Sequence, residues 1–585
     1  MTRQRGIFYA STHHYYSHVL QSPMDKTETG AASLIRTLSD AGIKIIFGYP
    51  GGAIMPAYDA LYTHGNGQIR HILVRHEQAA AHAAEGYAQV TGDVGVCIAT
   101  SGPGATNLLT GITNAMMDST PLVCITGQVN KALLGTDAFQ ESPIISMAAP
   151  VTKWCTQVQH ADEIAPAIAR ALATARSGRP GPVLVDITKN ALTETCQPAT
   201  YPAPHHSTQP SLVPDAAAIQ AASALLNNAK RPYALVGHGV HLSGAQDILR
   251  TVLEKADIPC ATTTLGLGAL PHDHPLFQGM LGMHGNYAAN LQTNEADVIL
   301  AIGMRFDDRV TGDTTKFVRQ AKIIHIDIDP AELHKVIKAT VAIAGDARTV
   351  LEALTPHVAD ARHDDWRQSF QVLDQQEEPV RQEVLSPGDG PLTMSEVIRA
   401  LDEATSDSAV VVADVGQHQM LAARYYRLTG TRRFITSGGL GTMGFSLPAA
   451  MGAQIAHPDR QVIAVMGDGC AQMNIQELGT IMQEHIGVKI LILNNHYLGM
   501  VRQWQELFFD RRYSATNIES PDFSLLAQAY QIPGASVEDR SDLAPALKEF
   551  VESTESRLLE VHVRATENVF PMIPSGGAVA DIRLR

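Results

Sequence analysis

Asp468 and Asn495 are the residues whose types and spacing point most directly to chemistry. Asp468 sits in Gly467-Asp468-Gly469, directly after the apolar run Val462-Ile-Ala-Val-Met466, and Asn495 closes Asn494-Asn495 after Lys489-Ile-Leu-Ile-Leu493. A helical stretch from Asn474 to His485 fills most of the 27 positions from Asp468 to Asn495. Both side chains are therefore expected at the carboxyl ends of two consecutive parallel strands, the edge at which open α/β sheets bind ligands. A carboxylate and an amide oxygen aimed at one point suit Mg²⁺, which takes a few protein oxygens and fills its octahedron with phosphate and water. Gly467 and Gly469 let the backbone approach a diphosphate, and the helix N-terminus that follows favours negative charge. Either motif alone is an ordinary tight turn. Together, each behind an apolar strand, they make a metal–diphosphate site.

The elements that must hold such a site are of the α/β class. Three stretches alternate short β-branched runs with amphipathic helical patterns, so the fold class is three domains, each a central mostly parallel sheet flanked by helices. Strands are expected at 44–47, 69–74, 95–99 and 122–126 in the first domain, at 233–236, 298–302 and 322–328 in the second, and at 409–413, 462–466, 489–493 and 558–563 in the third. The boundaries read as an extension over 1–26, domains at 27–192, 215–355 and 392–585, and linkers at 193–214 and 356–391, the last with few strand formers. At 585 residues, three domains is the ordinary expectation.

Composition narrows the function classes. A formal charge of −15 with no run of basic residues argues against a nucleic-acid partner. No apolar run approaches the ~20 residues of a membrane span. The six cysteines are scattered, without a close pair for zinc or redox chemistry, and no disulfide is expected. The first 23 residues contain no acid and carry Arg3 and Arg5. They suit a transit peptide, a tail or a start-site choice before Met24; a cytoplasmic protein is the expectation.

The Gly-Asp-Gly and Asn-Asn pair resembles the signature of thiamine diphosphate-dependent enzymes, which implies thiamine diphosphate and Mg²⁺ as cofactors and the main-chain carbonyl of Tyr497 as a third metal ligand. Further motifs match: Tyr49-Pro-Gly51-Gly52, Ala84-Glu-Gly-Tyr87 and Ser101-Gly-Pro-Gly-Ala-Thr-Asn107 of the pyrimidine-binding domain, and Ser437-Gly-Gly-Leu-Gly441-Thr-Met443-Gly444. The resemblance implies that Glu77, in Arg75-His-Glu77-Gln, is the buried acid that activates the cofactor, although an acid in the first turn of a helix is routinely a dipole partner. It implies that Gly51 lies at the cofactor, that Gly441 holds the pyrimidine amine through its main chain, and that Met443 wedges the cofactor into a bent form. Val415, Gly416 and Gln417 would touch the diphosphate, as would Gly469 and Cys470, the latter standing where a smaller residue is usual.

Within that class the chain is similar to the FAD-containing acetolactate synthases from about Thr27 to Gly577. Leu281-Gly-Met283-His284-Gly, Met304-Arg305-Phe-Asp-Asp-Arg309, Gly237-His-Gly239, Gly345-Asp346-Ala and Ser177-Gly-Arg179-Pro carry the likeness. They imply FAD in the middle domain, with Arg179, Asp327 and Asp346 as contacts; such residues equally often form surface ion pairs. The implied reaction is decarboxylation of pyruvate and condensation of its two-carbon unit with pyruvate or 2-oxobutyrate, giving acetolactate or acetohydroxybutyrate for branched-chain amino acid biosynthesis. Arg309 would clamp the acceptor carboxylate, Gln140 and Lys189 would line the substrate channel, and Trp504 would meet the extra methyl of 2-oxobutyrate. The family places its cofactor between the first domain of one subunit and the third of another, so a homodimer or homotetramer is implied, together with a possible small regulatory subunit. A flavin-reducing pyruvate oxidase is the nearest rival; Glu77 speaks against glyoxylate carboligase, which lacks that acid.

Overall fold

Three sheets, each of six parallel strands, organise the computed structural model, which describes residues 27–65, 67–198 and 213–585. The first sheet runs, edge to edge, Arg70–Leu73, Ile45–Gly48, Gly95–Ala99, Leu122–Gln128, Pro182–Thr188 and Trp154–Val158. The third runs Arg433–Thr436, Val410–Ala413, Val462–Gly467, Lys489–Asn494, Arg557–His562 and Gly534–Val537. Numbering strands along the chain within each domain, both have the order 2-1-3-4-6-5. The middle sheet is wound differently. Its strands Phe277–Met280, Cys260–Thr262, Pro232–Val236, Val298–Ile302, Lys322–Asp327 and Val341–Ala344 stand in the order 3-2-1-4-5-6, that of dinucleotide-binding folds.

Helices cover both faces of each sheet, which is why the central strands are continuous apolar runs and not alternating ones. Val462–Gly467 and Lys489–Asn494 are buried at every position. The first and third domains meet through two small-residue helices, Glu77–Thr91 and Ser446–Ala456. A Cβ on Gly86 would stand 2.0 Å from the Ala449 carbonyl oxygen, and one on Gly452 would stand 1.8 Å from that of Ala83. Only glycine permits this approach.

The strands expected in the interiors of the sheets are present, with ends shifted by a residue or so. Seven others in these sheets were not expected: Trp154–Val158, Pro182–Thr188, Cys260–Thr262, Phe277–Met280, Val341–Ala344, Arg433–Thr436 and Gly534–Val537. The 193–214 linker is shortened, because Thr195–Cys196 pairs antiparallel with Glu28–Thr29 and so belongs to the first domain.

The 356–391 stretch is not a bare connection. It contains the 22-residue helix Asp364–Leu385. Its few apolar residues do the anchoring: Trp366 and Phe370 enter the middle-domain core, and the indole N–H donates to the Pro232 carbonyl at 2.8 Å. Pro379 lies within the helix, where a sequence reading expects a break. The C-terminal residues cross back from the third domain, and Ile573, Val579 and Ile582 join the same middle-domain core.

All six cysteines are free thiols. No helix among the described residues is long and apolar enough to cross a membrane. The alternatives for residues 1–23 lie outside the described residues.

Candidate functional site

In the middle and third sheets a group of the predicted residues lies beside the point where strand order reverses. In the third domain that point separates Val410–Ala413 from Val462–Gly467, and the next strand pairs Gly467 with Leu493. Asp468 and Asn495 therefore leave neighbouring strands side by side, and both are buried. Asp468 Oδ2 accepts from the Ser520 hydroxyl at 2.9 Å, whereas its Oδ1 is buried with no hydrogen-bond partner. Burial raises the pKa of this carboxyl. An unpaired buried carboxylate oxygen is costly unless something binds it.

Asn495 Oδ1 accepts from the Tyr497 amide at 3.1 Å, which fixes the turn. The bridge between Tyr497 and Asn517 uses the Leu498 amide and the His496 carbonyl, leaving the Tyr497 carbonyl outside it. One free carboxylate oxygen, one amide oxygen and one free carbonyl form an all-oxygen donor set of the kind Mg²⁺ takes.

The other predicted residues of this domain gather round that set. Gly441, in the left-handed region at φ 72°, lies against Val415, and the space beside Gly469 is bounded by Leu498 and Met443. Gln417 differs from expectation. Its side-chain amide is spent inward on Gln503 at 3.0 Å and the Glu567 carbonyl at 2.7 Å, so only its main chain can meet a ligand. The Cys470 thiol also points inward, 3.1 Å from the Val415 carbonyl.

His418, which sequence reasoning passed over, packs between Gly416 and Gly467 with its Nε2 buried and unpartnered; burial lowers its pKa to about 4. Its position in the first helical turn after Gly416 was the available signal. Asp414, His418 and Cys470 hold their potential ligand atoms within 4.8 Å of one another. Asp414, however, already accepts from the amides of Val415, Gly444 and Ser446 and from the Ser446 hydroxyl, so it braces the loop.

A cavity of about 1040 Å³ opens from this region into the middle domain. At the middle sheet's reversal point Gly239 and Gly303 touch: a Cβ on Gly239 would stand 2.7 Å from the Gly303 Cα. Arg179, Met283, His284, Arg305, Arg309, Asp327 and Asp346 line the cavity with Gly239, and Val415, Gly416, Gly441, Met443 and Trp504 line it from the third domain. Met283 and Arg309 are locked together, the Met283 amide donating to the Arg309 carbonyl at 2.7 Å.

Burial raises Asp327 to about 6 and lowers His284 to about 3. Arg179 donates to the Ser119 hydroxyl of its own domain at 2.8 Å and reaches across to Glu332 of the middle domain at 3.0 Å. Asp346 caps the helix Ala347–Leu354 through the Thr349 amide. Both residues have structural partners while facing the cavity.

The first-domain residues form a separate group. Glu77 begins the helix after Arg70–Leu73, is buried, and accepts from the Asn107 amide at 2.9 Å. A Cβ on Gly104 would stand 3.2 Å from Glu77 Oε1 and one on Gly51 would stand 2.5 Å from Thr100, so these glycines bring three loops to the acid. Gln140, at φ 61°, packs on Gly102 in the same loop cluster. Lys189 is exposed at the start of the helix Lys189–Thr193. None of Gly51, Glu77, Gln140 or Lys189 lines the large cavity of its own chain.

Comparison with known proteins identifies the three domains. The thiamine pyrophosphate enzyme N-terminal TPP binding domain matches residues 28–147, the central domain of those enzymes matches 219–354, and their C-terminal TPP binding domain matches 414–561. An acetolactate synthase large subunit of Parasynechococcus marenigrum (strain WH8102) is 45% identical, covering 96% of this chain and 92% of that protein. The acetolactate synthase isozyme 2 large subunit of Escherichia coli (strain K12) is 44% identical, covering 94% and 99%. A large subunit from Lactococcus lactis subsp. lactis (strain IL1403) is 43% identical, covering 94% and 96%. With three matched domains in order and this identity sustained over nearly the whole length, the chain belongs to the acetolactate synthase large-subunit family of thiamine diphosphate-dependent enzymes.

Proposed function

We propose that this chain is a catalytic subunit that decarboxylates pyruvate and joins the two-carbon unit to a second 2-oxo acid, pyruvate or 2-oxobutyrate, yielding acetolactate or acetohydroxybutyrate. The observation that carries the reading is Asp468 Oδ1, a buried carboxylate oxygen without a partner at the reversal point of a sheet. Asp468, Asn495 and the Tyr497 carbonyl would hold Mg²⁺ and the main chain at 415–417 and 469–470 would receive the diphosphate, with His418 packed behind Gly416 and Gly467. Thiamine diphosphate, when bound, supplies a nucleophilic carbon and an electron sink for the decarboxylation.

The remaining steps belong to the protein. Glu77 is buried against Asn107 and Gly104, where it would exchange a proton with the aminopyrimidine ring, a task suited to an acid kept from water. Arg309 holds the acceptor carboxylate with its guanidinium fork. Trp504 packs on the acceptor's alkyl group, while Gln140 and Lys189 border the approach. Gly239, Met283, His284, Arg305, Asp327 and Asp346, which line the cavity on the middle-domain side, would hold FAD, and Arg179 would meet its nucleotide.

Within one chain Glu77 does not line the cavity that holds Gly441 and Met443, which supports a homodimer in which each site takes its acid from the other copy. Tyr49, Met55, Leu133 and Phe139 on the first domain, and Met473, Phe508 and Phe509 on the third, expose apolar side chains that such an interface would cover. A small regulatory subunit is a further partner of this reading.

The test is a product assay with pyruvate plus 2-oxobutyrate, with each of thiamine diphosphate, Mg²⁺ and FAD omitted in turn. The expected result is acetohydroxy acid formation that fails without the first two. No product with all three present would overturn the reaction. Flavin bleaching by pyruvate at the turnover rate would replace it with an oxidase.

A further inference from the structure

The loop Ser437–Met443 is held in place by the first domain of its own chain, through polar groups withdrawn from water. Ser437 donates its hydroxyl to Asn114 Oδ1, and the Thr442 hydroxyl donates to the same oxygen at 3.2 Å. The Asn114 amide donates in turn to both oxygens of Glu85 at 3.1 and 3.2 Å, and His82 Nδ1 pairs with Glu85 at 2.8 Å. Glu85, His82 and Asn114 have no solvent exposure. The carboxylate fixes the orientation of Asn114. An amide turned the other way would set its oxygen against Glu85 and its N–H groups against two hydroxyls.

A second anchor lies beside the first. Asp118 accepts from the amides of Gly438 at 3.0 Å and Gly439 at 2.6 Å. A Cβ on Gly439 would stand 2.9 Å from Asp118 Oδ1, and one on Gly438 would stand 2.6 Å from Leu265 of the middle domain. All three domains thus set the path of a loop that ends at Gly441 and Met443.

We propose that Glu85 and Asn114, acting through Ser437 and Thr442, are positioning residues that set the height of the Gly441 main chain against the cofactor's pyrimidine ring. This rests on the thiamine diphosphate reading given above. Glu85 lies two turns along the helix that Glu77 begins. In a dimer of the proposed kind, one helix supplies the acid of one active site and anchors the pyrimidine-holding loop of the other.

The test compares two ligands, each with saturating Mg²⁺, on full-length protein freed of cofactor: thiamine diphosphate, which carries the pyrimidine, and inorganic diphosphate, which does not. Ser437→Ala removes one hydroxyl at the loop and leaves the first domain intact. It is expected to weaken thiamine diphosphate binding about tenfold, the scale of one lost buried hydrogen bond, and to leave inorganic diphosphate binding unchanged. Glu85→Gln should shift the same ligand in the same direction. Asn114→Ala combined with Ser437→Ala should cost no more than the larger single change, because both break one chain of contacts.

Equal weakening of both ligands by Ser437→Ala, or of neither, would overturn the proposal and leave the cofactor reading standing. A wild-type chain that binds inorganic diphosphate but not thiamine diphosphate would overturn the cofactor reading and this inference together.

Discussion

The first and third domains have the same strand order, yet their functional residues leave different strands of it, Asp468 and Asn495 the third and fourth and Glu77 the second, an edge strand, and they build opposite environments there. In the third, the strand ends carry oxygen donors and glycines: Asp468 with a free Oδ1, Asn495, and Gly416, Gly467 and Gly469, which keep side chains out of the way. In the first, the turn after the edge strand Arg70–Leu73 leads into an alanine-rich helix, and a single buried acid, Glu77, faces Asn107. Topology supplies the location in both cases. The chemistry comes from which side chains follow the strands, so one fold serves as a metal–diphosphate cradle and as an acid pocket.

That contrast can be broken from either side. Glu77→Gln should leave thiamine diphosphate and Mg²⁺ binding in place and lower turnover by roughly 10²–10⁴-fold, the usual worth of a positioned acid–base group. Asp468→Ala should act on the other half: cofactor affinity falls and the dependence on added Mg²⁺ steepens, read by titration of the metal against activity. If the two variants gave the same profile, the division of labour between the domains would be wrong.

Arg309→Ala should raise the apparent KM for the acceptor by roughly 10–100-fold, the scale of a lost charge-assisted hydrogen bond, measured by varying 2-oxobutyrate at fixed pyruvate. Trp504→Leu should reduce any preference for 2-oxobutyrate over pyruvate by about tenfold, since one methylene in an apolar pocket is worth roughly that much. Competition between the two acceptors in one reaction gives the ratio directly.

The smallest effect is at the seam between the two domains. Glu477 of the third accepts the Arg75 amide, two residues before Glu77, at 3.0 and 3.2 Å, and the Thr480 hydroxyl at 2.7 Å. Burial raises its pKa to about 7. The folded state therefore keeps a proton that the unfolded chain has already released, so this group's contribution to stability is present at low pH and is lost as pH rises toward 7. The Tm of wild type relative to Glu477→Gln should fall between about pH 4.5 and pH 7. A difference that is flat across that window would show that Glu477 does not titrate there.

Much of this molecule was legible in the sequence, because the central strands are long apolar runs and the residues after them are polar and glycine-rich. Val462–Gly467 and Lys489–Asn494 are buried on both faces, and that burial is what makes them visible as uninterrupted hydrophobic stretches. Most edge strands carry no such signal, Arg70–Leu73 being the exception. Gly534–Val537 is only partly buried and Arg433–Thr436 begins with an exposed arginine.

The helix Asp364–Leu385 was hidden for a related reason. It buries only Trp366, Phe370 and Glu377, and Pro379 interrupts its pattern. Its partners lie far away in the chain: Glu377 pairs with the buried Arg424 of the third domain and accepts from the Tyr287 amide of the middle domain at 2.7 Å.

The sequence by itself therefore determined the fold class, the three domains and the candidate residues at strand ends, since local patterning and turn chemistry depend on neighbouring residues alone. The tertiary structure decided which of those residues share a cavity, that Gln417 turns inward while His418 Nε2 is left unpartnered, and that a first-domain helix anchors the Ser437–Met443 loop. These outcomes depend on contacts between residues hundreds of positions apart, where close packing and the need to satisfy every buried polar group select one arrangement.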